Sequence, residues 1–257
     1  MRRVEQDGLA WYQFDSLPVA HGIFTRHGGV SAAPWASLNL GGNVGDLPAS
    51  VLENHRRMYA ALGLERERAC SVWQVHSADI VYAPGPAPGR RWLAAADGLI
   101  TDRPDTPLSM RFADCTPILM ADTRQGAIGI AHAGWRGTVK GISGALVQAM
   151  VTAFGSRASD LSAGIGPSIG PAAYQVGEDV VQAVAAHFGS TDGLILRDAA
   201  DGSAWLDLWA ANRLDLERAG VTRIEIAGLC TAERKDEFFS HRAEAGRTGR
   251  FGAVISL

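Results

Sequence analysis

The sequence predicts a mixed α/β fold, and three observations carry that prediction. Short apolar runs bounded by turn residues crowd the middle of the chain. Two longer segments repeat apolar residues at helical four-residue steps, and in the C-terminal part strand-like and helix-like patterns alternate. With 257 residues, no internal repeat and no low-complexity linker, one domain spanning residues 1–257 accounts for the whole chain.

Taken in order, 9–14 and 22–25 read as short strands. The region 26–46 follows, with five glycines, Gly28, Gly29, Gly41, Gly42 and Gly45, and no helical period, so it reads as a loop, packed by Trp35 and Leu38. A helix is expected over 48–62, with Val51, Leu52, Met58, Tyr59 and Leu62 on one face, Asp46 as its cap and Gly63 ending it. The alternation in 71–82 suggests a strand interrupted near His76, after which a Pro- and Gly-rich loop leads to strands over 98–101 and 108–112. Ile142, Leu146, Met150 and Phe154 mark a helix over 138–154 that stops at Gly155. Strand 161–165, helix 178–188, helix 204–219 and strands 224–228 and 251–257 complete the pattern.

Charge and composition narrow the function. Against 27 acidic residues there are 24 basic ones, a net charge of −3, which offers no footprint for nucleic acid or an anionic membrane. Small soluble partners are expected instead. The polar residues after Met-Arg-Arg do not form a signal peptide, and no apolar stretch approaches a membrane span. Cys70, Cys115 and Cys230 are an odd, sparse set, expected to be free thiols in a reducing, cytoplasmic setting.

The chemistry concentrates in Met110 to Thr138. Two apolar runs there flank the polar turn Asp122-Thr123-Arg124-Gln125, which predicts an antiparallel hairpin. A turn centred between Thr123 and Arg124 would set Cys115 directly opposite His132, close enough for a thiolate and an imidazole to reach one metal ion. His76, in Trp-Gln-Val-His-Ser, is the third candidate ligand. Two imidazoles and one thiolate would leave the fourth tetrahedral position of a zinc ion open, as in catalytic zinc sites. The same residues also fit a Cys-His nucleophilic dyad with Asp114 or another carboxylate as orienter. Convergence of a second histidine on the thiol would distinguish the two, since a dyad needs only one base. Asp114, next to Cys115 on an expected strand, could equally point to the opposite face and merely cap or pair.

The stretch GIGPSIGP, 164–171, lacks the Gly-Lys-Ser/Thr ending of a phosphate-binding loop, and Pro167 and Pro171 remove amides such a loop would use. A tight loop lining a pocket is expected. Arginines beside turn residues are better anion candidates, with Arg26 and Arg136 ranked ahead of Arg242.

The segments TRHGGVS, SLNLG, WQVHS, ADGLITD, ADCTPIL, AHAGWRGT, GIGPSIGPAAYQVG and FFSHR, spread from Thr25 to Arg242, resemble the laccase-domain family, once called multicopper polyphenol oxidoreductases. The resemblance covers nearly the whole chain. It implies zinc-dependent purine nucleoside phosphorolysis with adenosine deamination, peptidoglycan editing in some bacterial members, and metal ligands at His76, Cys115 and His132. It also implies mixed β-sheets packed between helical layers. Adenosine, inosine and methylthioadenosine are then the expected nucleosides, phosphate the co-substrate, and Arg26, Asp114 and Arg136 the candidate catalytic residues. The older copper label fits poorly, because a multicopper array needs more histidine ligands than seven could supply. His241 departs from the tyrosine expected in many relatives. Two further classes stay open: a cysteine-type amide hydrolase acting on a cell-wall precursor, and a non-enzymatic metal-binding protein.

Overall fold

The computed structural model describes residues 1–89 and 92–257; Arg90 and Arg91 of the expected Pro- and Gly-rich loop lie outside them. Two large sheets face each other. One is antiparallel and five-stranded, in the order Arg2–Gln6, Leu9–Gln13, Ala20–Phe24, Phe251–Ser256, Leu108–Phe112. The other is mixed and six-stranded, in the order Arg223–Ile226, Ser162–Ile165, Thr116–Asp122, Ala127–Ala133, Gly98–Thr101, Ile80–Tyr82. Its two outer pairs are parallel and its inner pairs antiparallel.

Side-chain alternation builds four layers from these sheets. Along Thr116–Asp122, Leu119 and Ala121 point into the core shared with Tyr12, Met110, Phe112 and Phe251 of the five-stranded sheet. Ile118 and Met120 point the other way, onto Ile142, Leu146 and Met150 of helix Ile142–Phe154. Both faces of the strand are therefore buried, which is why its sequence is continuously apolar. On the outer face of the five-stranded sheet, Leu9, Trp11, Phe24 and Val254 pack against Met58 and Tyr59 of helix Pro48–Ala61. Sheets between helical layers are thus observed as expected. A three-stranded sheet, Gln175–Val176, Ala204–Leu206 and Ile195–Arg197, joins helices Glu178–Phe188 and Leu208–Arg218 around a smaller core. No helix among the described residues is long and apolar enough to cross a membrane.

Several expectations need correction. The strand Arg2–Gln6 was not expected; with only Val4 partly buried among exposed neighbours, its sequence shows no apolar face. Leu52 is 51% exposed, and Asn54 takes the inward place instead, its amide donating to Ser31 and to the Ser37 and Asn39 carbonyls. Asp46 does not cap that helix, because its carboxylate accepts from Ser31 and Asn39 in the preceding loop. The helix expected over 138–154 is broken at Gly141, whose φ of 77° is left-handed, so a single turn Trp135–Thr138 precedes Ile142–Phe154. The segment expected as helix 204–219 begins as strand Ala204–Leu206, and Asp207 caps the helix that follows by accepting from the Ala210 amide. Of 71–82 only Ile80–Tyr82 is strand, since the chain before it turns through a left-handed His76 with φ 60°.

The hairpin register also differs. Pro117, not Cys115, stands opposite His132, and Thr116 stands opposite Ala133. The cause lies in the turn. Asp122 ends the strand opposite Ala127, its Oδ1 accepting the amides of Arg124 and Gln125, and Gly126, at φ 59°, takes the last place of the turn, so the four-residue loop is 123–126 rather than 122–125. The resulting shift is two residues, an even number, which keeps Cys115 and His132 on one face as diagonal neighbours.

Candidate metal centre

The strand ends gather the site. Cys115 immediately precedes Thr116–Asp122, His132 lies near the end of Ala127–Ala133, Asp97 immediately precedes Gly98–Thr101, and His76 precedes Ile80–Tyr82. Given the strand directions, all four lie at the same edge of the six-stranded sheet. There His76, Cys115 and His132 line a cavity of about 980 Å³, at the upper end of small-molecule sites, with Asp97 buried behind them.

His76, Cys115 and His132 present their ligand atoms within 4.8 Å of one another. Cys115 Sγ lies 3.9 Å from His76 Nε2, and the two imidazoles stand edge to face with centroids 5.0 Å apart. Tetrahedral zinc ligands stand roughly 3.5 Å apart, so a small contraction would close these donors on one ion. His132 Nδ1 donates to Asp97 Oδ1 at 2.8 Å, which leaves Nε2 to face the trio. The trio can therefore hold a metal ion with an open coordination position. Among the described residues no other histidine, cysteine or carboxylate group converges in this way, which is too few ligands for a multicopper array.

The neighbouring backbone is shaped to this purpose. A Cβ on Gly134 would lie 2.8 Å from Cys115 Sγ and 3.0 Å from His76 Cδ2, so only glycine leaves the thiol its place. Burial alone would raise the Cys115 thiol, but His132 and His76 beside it outweigh burial and hold it below the ordinary thiol range. Burial would lower His132, and the Cys115 and Asp97 charges reverse that. Burial would raise Asp97, yet His132 and the Ser77 and Val75 amides hold it at about 2.

The other expected residues are placed as follows. Asp114 lines the cavity, but with φ 81° it lies in a left-handed turn rather than on a strand. Its Oδ1 accepts from Thr231 Oγ1 and its Oδ2 from the Arg242 amide, both at 2.7 Å. Arg136 is exposed on the cavity wall, stacked 4.4 Å over its own neighbour Trp135. Arg26 is not brought to the cavity. Its guanidinium donates to the Ala36 and Lys235 carbonyls and to Glu244, and lies 4.4 Å over Phe239, so it ties loops together. Arg242, ranked lower from sequence, lines the cavity instead, donating to the Gln175 carbonyl and lying 5.1 Å over Tyr174. His241 lines it too, and Ile169 of the Gly- and Pro-rich loop forms part of the wall, its amide held by the Asp114 carbonyl.

Sequence reading missed Asp97 and Tyr174. Tyr174 lies on the wall near Cys115, Asp114, Arg136 and Arg242; burial, with the Cys115 and Asp114 charges, pushes its phenol up, so it stays a hydrogen-bond donor. Asp97 carried one available signal, an acid at the start of an apolar strand, where a buried carboxylate must find donors.

The fold and site define the class: a mixed α/β sandwich with a Cys-His-His cluster at the strand ends that could hold a metal ion. The chain belongs to the multi-copper polyphenol oxidoreductase laccase family, whose pattern matches residues 20–257. It is 41% identical over 250 residues to a protein of Deinococcus radiodurans named purine nucleoside phosphorylase, covering 97% of this chain and 94% of that one. It is 39% identical over 262 residues to purine nucleoside phosphorylase YlmD of Geobacillus stearothermophilus, with 98% and 96% covered. The crystal structure of that YlmD superposes with a TM-score of 0.92 at 37% identity, covering 98% of this chain and 97% of the other. The Bacillus licheniformis protein YfiH superposes at 0.91 and 33% identity, with the same shares covered.

Proposed function

We propose that the protein is a zinc-dependent purine nucleoside phosphorylase that also deaminates adenosine in the same cavity. One observation carries this reading: a second histidine, His76, converges on the thiol that His132 already approaches, which a nucleophilic dyad would not need. The names of relatives at 39–41% identity support the phosphorolytic half.

In phosphorolysis a phosphate oxygen forms a bond to C1′ of the ribose as the bond from C1′ to the purine nitrogen breaks. The bonding pair and a proton leave with the base. A zinc ion held by His76, Cys115 and His132 would supply Lewis acidity and lower the pKa of water at the open position. Arg136 and Arg242 hold phosphate against the ribose by charge-assisted hydrogen bonds. The Tyr174 phenol donates to the bound substrate. Asp114 holds the Arg242 amide and the Thr231 hydroxyl, and so keeps that wall in register with Cys115.

The test combines metal analysis with turnover. Purified protein should contain about one zinc per chain, and inosine with phosphate should yield hypoxanthine and ribose 1-phosphate. Adenosine without phosphate should yield inosine and ammonia. Full activity after complete metal removal would refute the zinc dependence; no turnover of nucleosides, with chelator-resistant amide hydrolysis lost in Cys115→Ser, would make the amide hydrolase the better reading.

A further inference from the structure

Asp97 has no exposed surface, and every oxygen it owns is committed to one or other of two metal-binding segments. Its Oδ1 accepts from His132 Nδ1 at 2.8 Å, and its main-chain carbonyl accepts the His132 amide, also at 2.8 Å. Its Oδ2 accepts two amides, Val75 at 3.0 Å and Ser77 at 2.7 Å. Those amides flank His76, the residue held at φ 60°. A left-handed conformation is strained for a side-chain-bearing residue, so it persists only where something holds it. Two N–H groups converging on one carboxylate oxygen form such a hold, because an anion between successive amides stabilises the turn that points both at it.

One carboxylate thus grips both histidine ligands by different means. It fixes the ring of His132 in a single tautomer, and it fixes the backbone on either side of His76. We infer that Asp97 is the positioning residue of the metal centre, assembling His76 and His132 into a binding-ready pair before any ion arrives; this rests on the metal reading proposed above. Asp97 touches neither the open coordination position nor the cavity contents, so its effect travels wholly through the two ligands.

The distinction from a merely structural buried acid can be measured. Glu237 is a suitable comparison: it is also buried and hydrogen-bonded, to Tyr12 and Arg3, and it does not line the cavity. Zinc affinity of the full-length protein, by competition with a chromophoric chelator, should fall about 10- to 100-fold in Asp97→Asn and stay within about twofold of wild type in Glu237→Gln. Amide exchange at Val75 and Ser77 should quicken in the first variant and not in the second. Because Asp97→Asn could fail to fold, the wild type supplies a second readout. Nitrogen NMR of the zinc-loaded protein should find His132 protonated at Nδ1 and coordinated through Nε2. Wild-type affinity in Asp97→Asn, or coordination of His132 through Nδ1, would overturn the inference while leaving the metal reading intact. Failure of the wild type to bind zinc at all would overturn both, and is distinguishable because it precedes any comparison of variants.

Discussion

Cys115 Sγ and His76 Nε2 lie 3.9 Å apart although 39 residues separate them in sequence. Under the proposed metal reading both are ligands of one ion. Cys115→Ser replaces a thiolate by a neutral hydroxyl, and His76→Ala removes an imidazole, so each should weaken zinc binding by at least about 100-fold. Metal analysis after gel filtration checks this. Retention of stoichiometric zinc by His76→Ala would remove His76 from the centre.

Gly134 faces the same thiol. Its φ of −74° suits any residue, so the demand for glycine is one of space alone. Gly134→Ala would press a methyl group against Cys115 Sγ and the His76 ring. The variant should fold with near-normal stability yet bind zinc at least about tenfold more weakly, since first-shell geometry tolerates little displacement. Thermal unfolding measured beside metal affinity separates the two effects.

Arg136 and Arg26 should part company when each is replaced by alanine. Arg136 lies on the cavity wall, and under the proposed function its loss should raise KM for phosphate about tenfold or more with little change in thermal stability. Arg26 is 16% exposed and ties the 235–244 segment to the loop at Ala36, so its loss should cost about 2 kcal/mol of stability. Assays below the variant's unfolding temperature should then find KM for phosphate unchanged. A raised KM in Arg26→Ala would return that residue to the site.

His21 makes stability depend on pH. Its Nδ1 donates to the Val19 carbonyl and its Nε2 accepts the Phe14 amide, both at 2.8 Å, so the ring is neutral and has no place for a second proton. Burial lowers its pKa below the ordinary histidine value of about 6.5, against smaller opposing pulls from the Val19 carbonyl and Glu225. The unfolded chain therefore binds the proton first. Stability contributed by neutral His21 is complete above about pH 6.5 and declines as pH falls from there toward the depressed folded value. His55, lowered to about 4 by burial and the Arg111 charge, adds a slope of the same sign. His21→Gln should lower stability at neutral pH and flatten the decline between about pH 7 and pH 5, as read from denaturant midpoints. An unchanged slope would show that His21 titrates normally.

Much of this molecule was legible in local pattern. The strands Gly98–Thr101 and Leu108–Phe112 and the helix Glu178–Phe188 fall where periodicity and turn residues put them, because each buries a face whose spacing is written in the chain. Local pattern failed where a contact elsewhere decided the conformation. Ala204–Leu206 is strand because Gln175–Val176 and Ile195–Arg197 pair with it on both sides, which its neighbours in sequence do not announce. The hairpin register turned on whether Gly126 belonged to the turn, a choice of two residues that preserved the facing of Cys115 and His132.

The sequence by itself determined the residue types that could bind a metal, the strand ends that carry them and the layered mixed α/β class, since these follow from side-chain chemistry and from hydrophobic period. Tertiary structure alone decided which polar groups share the site. Arg26 and Arg242 sit beside similar turn residues, yet one ties loops together and the other lines the cavity. Asp97, marked in sequence only by its place before an apolar strand, is bonded to the His132 ring and to the amides on both sides of His76. The physical reason is that a guanidinium or a buried carboxylate is committed by whichever donors and acceptors the fold brings within about 3 Å, and those partners come from distant segments that no local pattern can pair.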